Sequence, residues 1–130
     1  MRTRRAPLRW TFVNHDPALA PDLLHEYVDG WRRRDIPAVL TTLADDCVIV
    51  EPDGTVHRGR DEIGDWMRQT VAQLHDWQII SSAATGDLLV AEWERWQGST
   101  PWVAGVTIAR PAAGRIGHLR DYVTSPGRAG

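Results

Sequence analysis

Apolar residues recur at every fourth position early in the chain, which is the spacing of one face of a helix. Asp16 and Pro17 are a typical helix start, because aspartate accepts hydrogen bonds from the first helical N–H groups and proline fits the first helical position. The apolar residues that follow at this spacing are Leu19, Leu23, Tyr27 and Trp31. The pattern predicts a long first helix with one apolar face, ending near Arg33.

Two shorter helices are predicted from similar signals. Asp35 can cap a second helix, and residues 59–62 open a third with acids in its first turn, where the helix dipole favours negative charge. The apolar face of the second helix comprises Ile36, Val39, Leu40 and Leu43. The apolar face of the third comprises Ile63, Trp66, Met67, Thr70, Val71 and Leu74.

The rest of the chain has the composition of β-strands separated by turns. A β-rich run at 47–50 ends at a turn over residues 51–54, and residues 55–57 can form a short returning strand. Further strands are expected at 77–82, 88–96, 102–110 and 116–124. Helices followed by a strand meander indicate an α+β fold in which a curved sheet wraps around the long first helix.

The length of 130 residues suits one domain. Residues 1–15 lack periodicity and are expected to form an N-terminal arm, residues 16–125 the domain, and residues 126–130 a tail. No apolar run approaches the roughly 18 residues that a membrane helix needs. We therefore expect a cytoplasmic protein.

Composition and charge exclude several chemistries. All 15 basic residues are arginine, so no lysine can form a Schiff base or bind phosphate in a glycine-rich loop. The net charge of −2 disfavours nucleic acid as a partner, and the single cysteine, Cys47, excludes an internal disulfide. The five histidines lack metal-ligand spacing and no dinucleotide motif is present, so we expect neither a metal nor another cofactor.

Tryptophan is unusually frequent, with seven residues beside a single phenylalanine. So many indoles do not fit one small core. Some are therefore expected to line a ligand cavity or an interface, where a flat apolar ring with one hydrogen-bond donor is useful.

Four segments together resemble the nuclear transport factor 2-like superfamily: LADDCVIV (43–50), PDG (52–54), HRGRDEI (57–63) and GRIGHLRDYV (114–123). Over residues 18–125 the chain is most similar to SnoaL-like and ketosteroid isomerase-like proteins. The resemblance implies a cone-shaped α+β fold, with a strongly curved mixed sheet around the N-terminal helix and two further helices. It also implies an enclosed pocket for a hydrophobic small molecule, and a homodimer formed through the outer sheet face.

Three positions acquire roles from this resemblance. Tyr27 matches the tyrosine that donates a hydrogen bond to the substrate oxygen in ketosteroid isomerases, and Glu51 matches their general-base aspartate. Asp121 resembles the last-strand acid of SnoaL-like cyclases and epoxide hydrolases. The second oxyanion donor of the isomerases falls near Val106, so we expect an activity weaker than, or different from, steroid isomerisation.

The remaining residues expected to line the pocket are Trp31, His57, Trp66, Trp93, Arg95, Val106, Leu119 and Val123. Strand register decides part of this set, because a slip of one residue would replace Trp93 and Arg95 by their neighbours. The three candidate catalytic residues also have structural interpretations. Glu51 can be a solvated turn acid, Tyr27 a core residue, and Asp121 a member of a structural ion pair with an arginine.

These observations lead to one favoured hypothesis and two alternatives, because this fold hosts many functions. The favoured one is a cofactor-free enzyme that transfers a proton on a polyketide-, terpenoid- or steroid-like carbonyl compound. Glu51 or Asp121 would be the base and Tyr27 the oxygen donor. One alternative is a non-catalytic ligand-binding or dimeric interaction module. The other is an epoxide hydrolase-like enzyme that uses Arg95 and Asp121.

Overall fold

Three helices and one six-stranded sheet make up the part of the chain that the computed structural model describes, residues 22–98 and 100–126. The helices are α1 (Asp22–Arg32), α2 (Ile36–Thr41) and α3 (Gly59–Thr70), and a 3₁₀ turn at Val71–Gln73 follows α3. The strands are β1 (Leu43–Val50), β2 (Val56–Arg58), β3 (Leu74–Thr85), β4 (Leu88–Gln97), β5 (Thr100–Ala112) and β6 (Arg115–Pro126). The predicted α+β class is confirmed.

The first two helices pack closely because their contact point carries no side chain on α1. A Cβ added to Gly30 would lie 2.7 Å from Val39 Cγ2. Asp35 starts α2 as predicted, and its side chain accepts a hydrogen bond from the Ala38 amide at 3.1 Å. The apolar side of α1 faces the sheet, where Tyr27 contacts Trp77 of β3.

The sheet has the strand order β2-β1-β6-β5-β4-β3. Neighbouring strands pair antiparallel, except for the parallel pair of β1 and β6, so the sheet is mixed. It curves around α1 without closing into a barrel, in agreement with the expected cone. Because β6 lies beside β1, residues from the two ends of the domain become neighbours.

Strand register places Trp93 and Arg95 on the inner face of the sheet. Trp93 is buried and pairs with Gly105 on β5, whereas Glu92, on the opposite face, is exposed. The indole of Trp93 covers the bare backbone at Gly105, where any side chain would collide with it. The uncertainty in the register of β4 is thus settled in favour of the predicted inward pair.

The element boundaries differ from the predicted ones at several points. Leu43 and Leu74 were assigned to the apolar faces of helices, but each is the first residue of a strand. The predicted start of α1 at Asp16 and the arm at 1–15 lie outside the described residues, as do positions 127–130 of the predicted tail. Pro126 is still part of β6. Within the described residues, no helix is long and apolar enough to cross a membrane.

We predict that Gly105→Ala destabilises the fold by at least ~2 kcal/mol, because overpacking a filled core has costs of this order. The new methyl group would come within 2.6 Å of Trp93 Cζ2 and also meet the Tyr122 carbonyl oxygen. Urea unfolding followed by tryptophan fluorescence measures the effect. Gly86→Ala is the matched control, since nothing lies within 4 Å of its added Cβ. Equal stability of the two variants would contradict this account of the Trp93 packing.

Candidate functional site

A cavity of about 190 Å³ lies between α1, α3 and the inner face of the sheet. It brings together Tyr27 from α1, Glu51 from the end of β1, Arg95 from β4 and Asp121 from β6. The other lining residues are Trp31, Pro52, Trp66, Thr70, Gln73, Leu74 and Trp77. All three candidate catalytic residues therefore line one cavity.

Most of the cavity wall is aromatic. Tyr27 and Trp31 lie one helical turn apart on α1, while Trp66 comes from α3 and Trp77 from β3. Four ring pairs among these residues meet edge to face, with centroids 5.7 to 6.5 Å apart. The interlocked rings give the cavity a firm apolar wall.

Asp121 is a buried carboxyl group held by a chain of hydrogen bonds. Its Oδ1 accepts a hydrogen bond from the Thr107 hydroxyl at 2.5 Å, and Thr107 Oγ1 in turn accepts one from Trp93 Nε1 at 2.8 Å. The side chain of Asp121 is only 8% exposed. Burial raises the pKa of Asp121, against the opposing effects of Arg95 and the Thr107 hydrogen bond.

Arg95 lies beside Asp121 without a hydrogen bond between them. Its Nη1 is 3.9 Å from Asp121 Oδ2, which is close enough for charge attraction but too long for a hydrogen bond. The guanidinium carbon lies 4.9 Å from the Trp77 ring centroid and 4.5 Å from that of Trp93, so it contacts two indoles as a cation. Burial lowers the pKa of Arg95, and Asp121 opposes this effect.

Tyr27 is a buried phenol, with 1% of its surface exposed. Burial and the nearby charge of Asp121 both raise its pKa. The hydroxyl group therefore keeps its proton at neutral pH and is available as a hydrogen-bond donor.

Glu51 and His57 form a second polar pair. His57 Nε2 lies 2.7 Å from Glu51 Oε2, and the imidazole ring stacks on Trp66 with centroids 4.4 Å apart. The Glu51 side chain is 31% exposed, so it is the more solvated of the two carboxylates that line the cavity. His57 binds the Glu51 carboxylate but does not itself line the cavity.

Not every residue predicted for the pocket lines it. Trp93 contacts Arg95 with its ring and donates a hydrogen bond to Thr107, but it is not part of the cavity wall. Leu119 is fully buried in the core, and Val123 packs against that core. The prediction for Val106 is wrong. It pairs with Glu92 and Tyr122 on the outer face of the sheet, because successive strand residues alternate and its neighbour Thr107 points inward.

Two residues with important contacts escaped the sequence prediction. Thr107 orients Asp121, and Trp77 contacts both Tyr27 and Arg95. The sequence did carry a signal for Thr107. Every second residue of β5 in this region is small or medium-sized and is buried, namely Val103, Gly105, Thr107 and Ala109. Across residues 22–98 and 100–126, no three His, Cys, Asp or Glu side chains are grouped to hold a metal ion.

We predict that Thr107→Val raises the pKa of Asp121 further, because the variant loses the hydrogen bond that stabilises the ionised carboxylate. Trp93 Nε1 also loses its acceptor, and a buried unpaired donor costs about 1–3 kcal/mol of stability. Carboxyl NMR titration and urea unfolding measure the two effects. Thr107→Ser keeps the hydroxyl and should resemble the wild type in pKa. A Val variant that titrates like the Ser variant would disprove the role of this hydrogen bond.

Comparison with solved structures shows the same fold in other proteins. A nuclear transport factor 2-like protein of unknown function from Mesorhizobium loti is 24% identical, with a TM-score of 0.72 over 85% of this chain and 95% of that one. A ketosteroid isomerase-like fold from Catenulispora acidiphila, solved with trimethylamine, is 23% identical, with a TM-score of 0.68 over 78% and 85%. A candidate polyketide cyclase from Xanthomonas campestris is 17% identical, with a TM-score of 0.66 over 82% and 93%.

Sequence comparison assigns the family. No curated protein matches the chain significantly. The SnoaL-like domain, however, matches residues 24–118, which run from the first turn of α1 into β6 and include most of the cavity wall. This protein belongs to the SnoaL-like domain family.

Proposed function

We propose that the domain binds a small carbonyl compound in its cavity and catalyses cofactor-free proton transfer, with Asp121 as the base and Tyr27 as the oxygen donor. The observation that carries the proposal is the buried Asp121 carboxyl group at the cavity wall, with its raised pKa and one oxygen fixed by Thr107. A base whose pKa lies closer to neutrality transfers protons more effectively at physiological pH.

The reaction balances without a further reactant. Asp121 Oδ2, the oxygen not bound by Thr107, removes a proton from the carbon next to the carbonyl group. The C–H electron pair moves into the carbon skeleton and leaves negative charge on the carbonyl oxygen, which accepts a hydrogen bond from the Tyr27 hydroxyl. Asp121 then returns the proton to the same carbon or to another one, and the second outcome is an isomerisation.

Asp121 is the better-placed base of the two carboxylates. Glu51 is more solvated, and its Oε2 is already hydrogen-bonded to His57. Glu51 and His57 fit a role in positioning the substrate at the more exposed side of the cavity.

The volume of the cavity favours a small substrate. Pockets for drug-sized ligands measure about 300–1,000 Å³, whereas this cavity has about 190 Å³. Within the expected range of polyketide-, terpenoid- or steroid-like compounds, a fragment smaller than a steroid therefore fits best. The cyclase description of the Xanthomonas campestris neighbour supports carbonyl chemistry as the class.

Epoxide hydrolysis is the second candidate, and the closeness of Arg95 to Asp121 favours it. In that reaction Asp121 would accept a proton from water, and the hydroxide would attack a ring carbon and break its bond to the epoxide oxygen. The epoxide oxygen would then take the proton back from Asp121, which completes the diol. Incorporation of labelled oxygen from water distinguishes this product from that of proton transfer. A non-catalytic binder would bind ligand and show neither reaction.

We predict that the wild type accelerates exchange of deuterium from D₂O into the carbon next to the carbonyl group of small ketones, measured by NMR. Asp121→Asn should lose about 10²–10⁴-fold in rate, as expected for removal of a general base. Glu51→Gln, the same carboxyl-to-amide change, should lose less. The rate should rise with pH as Asp121 ionises, at higher pH than the usual aspartate pKa of about 3.9. Unchanged exchange in Asp121→Asn would eliminate Asp121 as the base.

We also propose that two copies of the chain pair through the outer face of the sheet. On this face Val106 and Ile108 of β5 lie between Glu92 of β4 and Arg120 of β6. A two-fold axis that runs along β5 would place Glu92 on β4 of one copy opposite Arg120 on β6 of the other copy. The arrangement is self-complementary, as a symmetric dimer requires.

Val106→Glu is expected to turn this dimer into a monomer, because it places a charge at the centre of the apolar contact. Sedimentation velocity at micromolar concentration measures the change. Val56→Glu is the matched control, since Val56 is exposed on β2, an edge strand that is three strands away from β5. A monomeric wild type, or a dimer that survives in Val106→Glu, would refute the interface.

A further inference from the structure

Arg95 carries hydrogen-bond donors that no described residue satisfies. Its Nε is buried and has no acceptor among the described residues, and its nearest carboxylate oxygen, on Asp121, is 3.9 Å from Nη1. A buried guanidinium group without acceptors is costly, because its N–H groups lose water and gain nothing in exchange. The group is therefore suited to bind an oxygen-rich partner that enters the cavity.

Arg95 lines the cavity between two indole rings and Asp121. Trp77 and Trp93 are set at 80° to each other, and the guanidinium carbon lies within 5 Å of both ring centroids. Asp121 approaches from the Nη1 side. The remaining N–H donors of Arg95 have no acceptor among the described residues, and a guanidinium group can bind the two oxygens of a carboxylate in bidentate geometry.

Two further donors lie in the same cavity wall. Trp31 Nε1 and Trp77 Nε1 are buried and have no acceptor among the described residues. Both residues line the cavity. This part of the cavity wall therefore lacks acceptors, which a ligand with oxygen atoms supplies and a pure hydrocarbon does not.

We propose that Arg95 binds a carboxylate group of the substrate, so that the substrate class is a small oxo-carboxylate. The assignment of the oxo group rests on the proton transfer proposed above, in which Asp121 needs a carbon next to a carbonyl group. Because Arg95 and Asp121 line the same cavity, a ligand held by Arg95 lies in the cavity beside Asp121. Arg95 would then orient the substrate and Asp121 would act on it.

The carboxylate assignment is tested by binding, which does not depend on turnover. Isobutyrate and isobutyramide have the same shape and differ in charge, and tryptophan fluorescence at neutral pH reports their affinities. We expect the acid to bind at least tenfold more tightly than the amide in the wild type. The preference should disappear in Arg95→Gln and be weaker in Arg95→Lys, which keeps the charge but lacks the planar pair of donors.

Asp121→Asn is the matched control, because it removes the other member of the pair and should keep or increase the preference for the acid. Equal binding of acid and amide by the wild type, or a preference that persists in Arg95→Gln, overturns the inference. If Arg95→Gln does not fold, Arg95→Lys takes its place, and an undiminished preference for the acid in Arg95→Lys overturns the inference.

The outcomes also separate this inference from the proposed function. Tight carboxylate binding without deuterium exchange into oxo acids contradicts the proton transfer and leaves the Arg95 site intact. Deuterium exchange into neutral ketones without any preference for carboxylates supports the proton transfer and contradicts the Arg95 carboxylate site.

Discussion

The site depends on holding one carboxyl group inside a wall of indole rings. Removing an ionised carboxylate from water costs on the order of several kcal/mol, unless nearby groups replace the lost hydration. In this protein Thr107 binds Asp121, Trp93 binds Thr107, and the indole of Trp93 lies over Gly105. The missing side chain at position 105 of β5 therefore helps to fix the acid on the neighbouring strand, β6. Because this compensation is incomplete, burial raises the pKa of Asp121.

The order of the elements could be predicted because each depends on local periodicity. Tyr27, Trp31 and Trp66 belong to helical faces, and they line the cavity as expected. Errors arose where an apolar pattern continued past the end of a helix. Leu74 keeps the spacing of α3 although the 3₁₀ turn at 71–73 has already ended it.

The polar contacts of the site could not be predicted from the sequence in the same way. Whether Val106 or Thr107 points inward depends on register shifts, and bulges interrupt the pairing of β5 with both neighbours. A shift of one residue exchanges the two faces of a strand. The pairs Thr107–Asp121 and His57–Glu51 therefore became visible only with the sheet in place, although Tyr27, Glu51 and Asp121 individually were within reach of sequence reasoning.

The parallel pairing of β1 with β6 has a consequence for how the molecule comes into being. Glu51 directly follows the first strand and Asp121 lies in the last, so the two carboxylates come together only when the chain is nearly complete. During synthesis on the ribosome, the helices and β1 emerge first. The sheet remains incomplete until β6 is made, because β6 joins β1 to β5. A long wait with exposed indoles favours aggregation. The parallel pair of β1 and β6 thus makes completion of the sheet one of the last events in the synthesis of the domain.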